Sequence, residues 1–184
     1  MRLTISAVIM ALVLGLAATG CQRSEENVQA ARENTDNRAL TDADRNFLKK
    51  NEMDNIKQQN LARAVLEKSK NSDVRDYAQM LADDHTKALD DLVDLMNKKG
   101  MAQPKALPEA KHEALSKLNN LSGPAFDREF VNLMLEDHER TIAEFRQQES
   151  MTQDKDVKDY VRHMRPALEK HLRKAHEIAG KLKA

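Results

Sequence analysis

Four long segments of the chain carry apolar residues at intervals of three and four positions, a spacing that predicts amphipathic helices. The clearest stripe runs from Val74 to Met96, and Gly100 follows it as a natural C-terminal stop. The predicted helices span about 42–69, about 73–98, a segment that begins at residues 122–124, and about 154–182. We therefore expect an all-α domain with four long helices.

Local signals mark where these helices begin or bend. Thr41 followed by Asp44 resembles a capping box, with the acid one carbon shorter than the usual Glu. Pro124 lies in the first turn of the third helix, where its missing N–H is tolerated. Pro166 falls inside the fourth helix, and we expect it to kink that helix.

The connections predict how the helices are arranged. The first and third connections are short, so each joins two antiparallel neighbours. The second has about two dozen residues and contains a short predicted helix near 108–121, so it is long enough to return along a bundle of about 40 Å. Two hairpins joined by one long crossover form a ferritin-like four-helix bundle. A plain up-and-down bundle with an elaborated loop is the alternative.

The first forty residues differ from the rest and predict export. Residues 5–18 are apolar and follow Arg2, as in a secretory signal peptide of residues 1–20. Residues 18–21 resemble the bacterial lipobox, in which the cysteine is acylated after cleavage, and Cys21 is the only cysteine. Residues 21–40 predict a polar tether, which leaves 41–184 as the folded domain. An ordinary membrane anchor and a plainly secreted protein are the alternatives.

The predicted lipid at Cys21 would attach the chain to a membrane. Gln22 follows this cysteine, whereas Asp at that position would suggest retention in the inner membrane for lipoproteins of this kind. We therefore expect a protein of the bacterial cell envelope, anchored in the outer membrane and facing the periplasm.

Composition excludes several classes of protein. Lys and Arg total 30, as do Asp and Glu, and this balance argues against a nucleic-acid partner. There is no Gly-rich phosphate loop and no nucleophile elbow. The sequence identifies no protein partner, and it favours a non-catalytic protein over an enzyme.

Three of the six histidines fall on apolar stripes and at similar heights in the predicted bundle: His85, His138 and His171. Each has apolar neighbours on its own helix, so we expect its polar partners to come from other helices. Imidazole is a good ligand for Fe, Zn or Cu, and bundles build metal sites from facing helices. These residues are therefore candidate metal ligands, whereas His112, His163 and His176 are predicted to face solvent.

Four further side chains near this layer are candidate ligands or orienting groups. Asp84 and Asp137 each precede a stripe histidine and point about 100° away from it on a helix. On the first helix, Gln58 lies near the same height and Glu52 about one turn lower. No Glu stands three residues before any of the three histidines, so the usual carboxylate di-iron pattern is absent.

The same polar layer has a structural interpretation, which the sequence favours. Interhelical Asp–His or His–Tyr hydrogen bonds can fix helix register without binding a metal. Met134 and Met164 lie on helix faces, and thioether with imidazole suits copper. Core packing is the better explanation of these methionines.

The runs 74–95, 123–145 and 167–179 resemble the bacterial family DUF4142, a domain of unknown function, and the resemblance covers about residues 43–182. It implies a ferritin-like fold and no established reaction. Family members usually carry Glu on the first helix, where this chain has Gln58. Because a neutral amide is a poor ligand for hard cations, this departure weakens an inherited metal site, and Glu52 could substitute only if the helix were shifted.

These observations predict an exported lipoprotein of unknown function with a ferritin-like bundle. The leading hypothesis is a non-catalytic, stress-related envelope protein. The alternative is a metal-binding or redox protein that uses the central His/Asp layer.

Overall fold

The computed structural model describes residues 39–102 and 110–183, which form five helices and contain no strand. In chain order the helices are α1 (Asp42–Lys68), α2 (Ser72–Lys98), α3 (Ala110–Asn119), α4 (Gly123–Met151) and α5 (Lys155–Lys183). The predicted four long helices and the short crossover helix are all confirmed. The predicted signal peptide, Cys21 and nearly all of the tether lie outside the described residues, as does the side chain of His112.

The predicted capping box begins α1. Thr41 Oγ1 accepts a hydrogen bond from the Asp44 N–H at 3.1 Å, and Asp44 Oδ2 accepts one from the Thr41 N–H at 3.0 Å. The other carboxylate oxygen of Asp44 accepts a hydrogen bond from Gln148 Nε2 at 2.5 Å. The cap of α1 is therefore also a contact with the last turns of α4.

Gly100 ends α2, as the sequence predicts. Its φ of +65° is in the left-handed region that favours glycine. The Gly100 N–H donates to the carbonyl of Asn97 at 3.0 Å, and the Met101 N–H donates to that of Met96 at 2.9 Å. This is the Schellman pattern, which satisfies carbonyls that have no partner within the helix.

Two long helices each contain one proline. Pro124 lies in the first turn of α4, where helices accept proline readily. Pro166 lies in the interior of α5, which continues as one helix from Lys155 to Lys183. The expected kink at this residue stays a prediction.

Each long helix runs antiparallel to both of its neighbours. Helix α1 packs against α2 and α4, and α5 packs against the same two helices. Asp44 at the start of α1 meets Gln148 near the end of α4, and Lys181 near the end of α5 binds Asp73 at the start of α2 at 2.8 Å. The crossover helix α3 packs on α1 and α4. Because α2 neighbours α5 rather than α4, the predicted ferritin-like arrangement is confirmed and the plain up-and-down alternative is wrong.

The apolar core consists of two clusters at opposite ends of the bundle. One surrounds Tyr77, Phe126 and Phe130, and the other surrounds Leu92 and Phe145. Between them lies a layer of buried polar side chains. None of the helices in the described ranges has the length and apolar character needed to cross a membrane.

Candidate metal centre

The polar layer at the middle of the bundle has a side-chain contribution from every long helix. Helix α1 supplies most of it, because its middle segment carries polar residues on its buried face. The buried polar residues of the layer are Asn51, Glu52, Asp54, Asn55, Lys57, Gln58 and Gln59 on α1, His85 on α2, Asp137 and His138 on α4, and His171 on α5.

The structure brings the three stripe histidines together. His85, His138 and His171 are 6%, 2% and 1% exposed, and their ring centroids lie 5.2–5.8 Å apart. One ring nitrogen from each lies within 4.8 Å of those of the other two. The expected convergence of these imidazoles therefore occurs.

The proton on His85 is assigned by its contact with Asn55. His85 Nδ1 lies 2.8 Å from Asn55 Oδ1. The amide of Asn55 is oriented by its Nδ2, which donates to the Asn51 carbonyl at 2.9 Å, so Oδ1 is the acceptor. Nδ1 of a neutral His85 therefore carries the hydrogen and Nε2 carries a lone pair. That Nε2 is buried and has no hydrogen-bond partner.

His138 is held by its own helix. Its Nδ1 lies 2.8 Å from the carbonyl oxygen of Met134, one turn earlier in α4. A carbonyl can only accept, so Nδ1 is the donor and Nε2 carries the lone pair. The prediction that every polar partner would come from another helix is wrong for this nitrogen, because a histidine can reach the carbonyl four residues before it.

His171 uses Nε2 for its outer hydrogen bond, whereas His85 and His138 use Nδ1. Its Nε2 lies 2.8 Å from Asp84 Oδ2, a carboxylate on the neighbouring helix α2. Nε2 therefore donates to the carboxylate, and Nδ1 of the neutral ring carries the lone pair. This Nδ1 lies 3.3 Å from His138 Nε2. In the neutral rings neither of these two nitrogens has a hydrogen to donate to the other.

Burial keeps the three rings neutral. Desolvation is the main cause that lowers the pKa of each ring, and it brings the pKa of His138 to about 4. The pKa of His85 lies well below its usual value, because the neighbouring imidazoles and Lys57 add to the effect of burial. The pKa of His171 is also lowered by burial, against the opposing effect of Asp84. At neutral pH each ring therefore presents one N–H and one lone pair.

The arrangement matches the donor set of a transition-metal site. Two nitrogens at 2.0–2.1 Å from one tetrahedral ion lie about 3.3 Å apart, which is the separation of His138 Nε2 and His171 Nδ1. The outer nitrogen of each ring is bonded to an oxygen, the usual way in which proteins orient metal-binding imidazoles. A cavity of about 30 Å³ adjoins the rings. The layer therefore offers three neutral imidazole nitrogens as candidate ligands, with adjoining space for a fourth.

A model of the family DUF4142, described as a domain of unknown function, matches residues 29–178. The chain belongs to this family. A crystal structure of a DUF305 fragment from Deinococcus radiodurans has the same fold, with a TM-score of 0.69 and 16% sequence identity. The similarity covers 78% of this chain and 99% of that one. No curated protein matches the sequence.

In this DUF4142 chain, two of the other candidate side chains have clear partners. Asp84 accepts the hydrogen bond from His171 Nε2 across the α2–α5 interface, so it contacts the outer nitrogen of this ring and not the inner lone pairs. Asp137 forms ion pairs with Lys57 and Arg140 and accepts from Gln58 Nε2 at 3.1 Å. Burial opposes ionisation of Asp137, but these cations keep its pKa below the usual value. The hydrogen-bonding capacity of Asp137 is thus already engaged by α1 and α4.

The remaining two candidates have unsatisfied oxygens. Gln58 Oε1 is buried without a hydrogen-bond partner, and Gln58 lines the cavity beside the histidines. Glu52 Oε2 is also buried without a partner, but Glu52 is absent from the described lining of that cavity. Burial raises the pKa of Glu52. Gln58 carries no charge and Glu52 is outside the described lining of the cavity, so neither side chain offers an anionic group to the three histidines.

Sequence reasoning missed Lys57, Asn51 and Tyr160, which support the layer. Lys57 neutralises Asp137. Tyr160 Oη donates a hydrogen bond to Asn51 Oδ1 at 2.5 Å, and this bond links α5 to the hydrogen bonds that join Asn51, Asn55 and His85. The sequence did contain a signal for these residues. The middle of α1 has no continuous apolar stripe although it must pack in the bundle, which indicates that polar side chains are buried there. The exposed positions of His163 and His176 are confirmed.

Proposed function

We propose that this protein is an exported lipoprotein whose bundle binds one transition-metal ion through His85, His138 and His171. The observation that carries the proposal is the set of three inward nitrogens that have lone pairs and no hydrogen to share. Each outer nitrogen, by contrast, has an oxygen partner at 2.8 Å. A cation can accept these three lone pairs, whereas the neutral rings cannot form hydrogen bonds with one another through nitrogens that carry no hydrogen.

The structural interpretation that the sequence favours explains the same layer less completely. Buried polar groups in native proteins are nearly always paired, and a layer retained only for helix register would pair its inner nitrogens too. His85 Nε2 is buried and unpaired. Leaving such a group unsatisfied costs about 1–3 kcal/mol, a cost that metal binding removes.

The donor set favours Fe, Zn or Cu over hard cations. Mg²⁺, Ca²⁺ and Mn²⁺ prefer carboxylate and carbonyl oxygens, whereas imidazole suits the later transition metals. Among the described side chains, the carboxylate nearest to these rings in the hydrogen-bond network is Asp84, and it is bonded to the outer nitrogen of His171. We assign no reaction to the site.

The test removes the inner nitrogens while keeping the outer hydrogen bonds. In His85→Asn and His138→Asn the shorter amide can replace Nδ1, which binds Asn55 or Met134, but it has no atom at Nε2. We expect near-stoichiometric metal in protein purified without chelator or affinity histidines, and little metal in either variant. Metal content per chain is measured by mass spectrometry, and far-ultraviolet circular dichroism confirms that the variants fold.

The matched control is the double variant His163→Ala/His176→Ala, which removes two exposed histidines of α5. It should keep its metal. A protein that contains no metal, and takes up none of Fe(II), Zn(II) or Cu on titration, would return the histidines to a purely structural role. In that case His85→Ala should still lower stability because it removes the hydrogen bond to Asn55 Oδ1.

Membrane attachment is proposed from the N-terminal sequence. The apolar segment 5–18 and the Ala-Thr-Gly-Cys of residues 18–21 support cleavage before Cys21 and its acylation. Several acyl chains on one residue give stable anchoring. The test is incorporation of labelled palmitate, followed by separation of inner and outer membranes. Cys21→Ala should lose the label and its place in the outer-membrane fraction, whereas a label-free wild-type protein would indicate a secreted protein or an ordinary membrane anchor.

A further inference from the structure

A buried ion pair between α1 and α4 lies beside the three histidines. The Lys57 ammonium contacts Asp137 Oδ2, and each of the two side chains is only 10% exposed. Asp137 directly precedes His138 in α4, and both members of the pair line the cavity that adjoins the rings. Lysine is rarely buried unless it is paired. Because a positive charge opposes the binding of a cation nearby, the effect of Lys57 on the site has to be considered together with that of Asp137.

This pair carries the cavity charges that solvent and outer partners screen least. The charged side chains in the described lining of the cavity are Asp54, Lys57, Asp84, Asp137 and Arg140. Asp84 and Arg140 are 38% and 48% exposed, so water screens them. Asp54 is bound to Lys50, outside the lining, at 2.9 Å. The two opposite charges of the buried pair are therefore the ones expected to act most strongly on an ion at the histidines.

Both charges of the pair act on the rings. After burial and the neighbouring imidazoles, Lys57 is a further cause of the lowered pKa of His85 and His138, and Asp137 opposes it at His138. A metal ion at the inner nitrogens places positive charge where a protonated ring would place it, so the same side chains act on it with the same sign. Lys57 therefore opposes metal binding and Asp137 favours it, and both effects increase with the charge of the ion.

We propose that the Lys57–Asp137 ion pair sets the affinity of the three-histidine site and its preference between divalent and monovalent ions. This inference rests on the proposed metal-binding function and adds two residues that tune the site without contacting the ion. With both residues present their charges largely cancel, so the imidazoles can hold a divalent ion beside a buried lysine. Loss of Asp137 would leave an uncompensated ammonium near the ion, and loss of Lys57 would leave an uncompensated carboxylate.

The experiment uses the full exported chain in detergent and competition with chromogenic chelators, for Zn(II) in air and for Cu(I) without oxygen. Asp137→Asn should weaken Zn(II) binding by about tenfold or more, and Lys57→Gln should tighten it by a similar factor. In Lys57→Gln the carboxylate keeps its contacts with Arg140 and Gln58. Because Coulomb energy is proportional to charge, each change for Cu(I) should be about the square root of that for Zn(II), roughly threefold. The double variant Lys57→Gln/Asp137→Asn should bind within about threefold of the wild type, since neither charge remains.

The matched control is a second buried Lys–Asp pair that lies far from the histidines. Lys99 Nζ contacts Asp154 Oδ2 at 2.5 Å, the two side chains are 8% and 1% exposed, and Lys99 follows His85 by about 21 Å along α2. Each single change in either pair leaves a buried charge without its partner and lowers stability. Lys99→Gln and Asp154→Asn should therefore destabilise the fold, as the central changes do, and leave both metal affinities unchanged.

The opposite signs of the two central changes separate an electrostatic role from a packing role. Weaker binding in both Lys57→Gln and Asp137→Asn, or unchanged binding in both, would overturn the inference and leave the three-histidine site intact. Should the wild type bind only one of the two ions, the signs measured with that ion decide. Binding of no metal at all by the wild type would overturn the proposed function as well.

Discussion

At the scale of single residues, one oxygen decides which nitrogen of each imidazole faces the others. Asn55 does so for His85, the Met134 carbonyl for His138, and Asp84 for His171. These histidines could be chosen from the sequence because helical periodicity placed them on apolar stripes. Their protonation could not, because each depends on the direction of a ring and on a partner that periodicity does not specify.

Asn55 offers a test of this orientation. Asn55→Ala leaves His85 Nδ1 without its acceptor, so the ring is free to turn or to move its proton to Nε2. We expect the free energy of unfolding to fall by about 1–3 kcal/mol and metal affinity to fall by about 10–100-fold. Urea unfolding and metal competition measure the two effects. Asn132→Ala, an exposed change on α4, should alter neither, and an Asn55→Ala protein with wild-type metal affinity would contradict the assigned role.

Glu52 provides a second residue-scale prediction. Its Oε2 is buried without a partner and its pKa is raised by burial. The folded protein therefore holds this proton more tightly than the unfolded chain, so stability falls as the pH rises above about 4.5. Glu52→Gln should raise the free energy of unfolding at pH 7 by about 1 kcal/mol, and the gain should shrink towards pH 4.5. The exposed Glu67→Gln on the same helix should show no gain. A Glu52→Gln protein that is less stable at pH 7 would indicate that the carboxylate has a role.

At the scale of helices, end signals were easier to interpret than the buried surface of α1. Thr41 with Asp44, Gly100 and Pro124 predicted helix ends correctly because capping and backbone conformation are local. The polar face of α1 was only partly predicted. Burial of Lys57 depends on Asp137, which is 80 residues away along the chain, and no local pattern specifies such a pair.

The two residues of the α1 capping box should contribute unequally to the free energy of unfolding. Thr41→Ala removes a single cap acceptor and should cost about 1 kcal/mol. Asp44→Ala also leaves the buried Gln148 amide without its acceptor, so it should cost about 2–3 kcal/mol. Urea unfolding of both variants, with the exposed Asp42→Ala as a control, measures the difference. Equal losses would mean that the α1–α4 contact contributes nothing.

At the scale of the whole molecule, the ferritin-like arrangement places one histidine from each of three helices in one layer. The order of the helices could be predicted from the lengths of their connections, since only the second is long enough to return along the bundle. Helix rotation could not be predicted to the accuracy that convergence requires. The bundle thus holds a layer of buried histidines between two apolar clusters.

This layer should make the metal-free protein sensitive to mild acid. The pKa of His138 falls from 6.5 in the unfolded chain to about 4 in the folded one, and the pKa values of His85 and His171 are also lowered. The unfolded chain therefore binds more protons over this range, so stability is lost as the pH falls from about 6.5 towards 4. His138 alone should account for a loss on the order of 3 kcal/mol. The buried carboxylates with lowered pKa values, Asp44 and Asp137, act only below their usual 3.8. Urea unfolding of chelator-treated protein from pH 7.5 to 4.5 should show this slope. Because Glu52 has the opposite pH dependence, the variant is compared with the wild type. The slope should diminish in His138→Asn and persist in His163→Ala, and an equal slope in His138→Asn and the wild type would mean that this ring is not buried in neutral form.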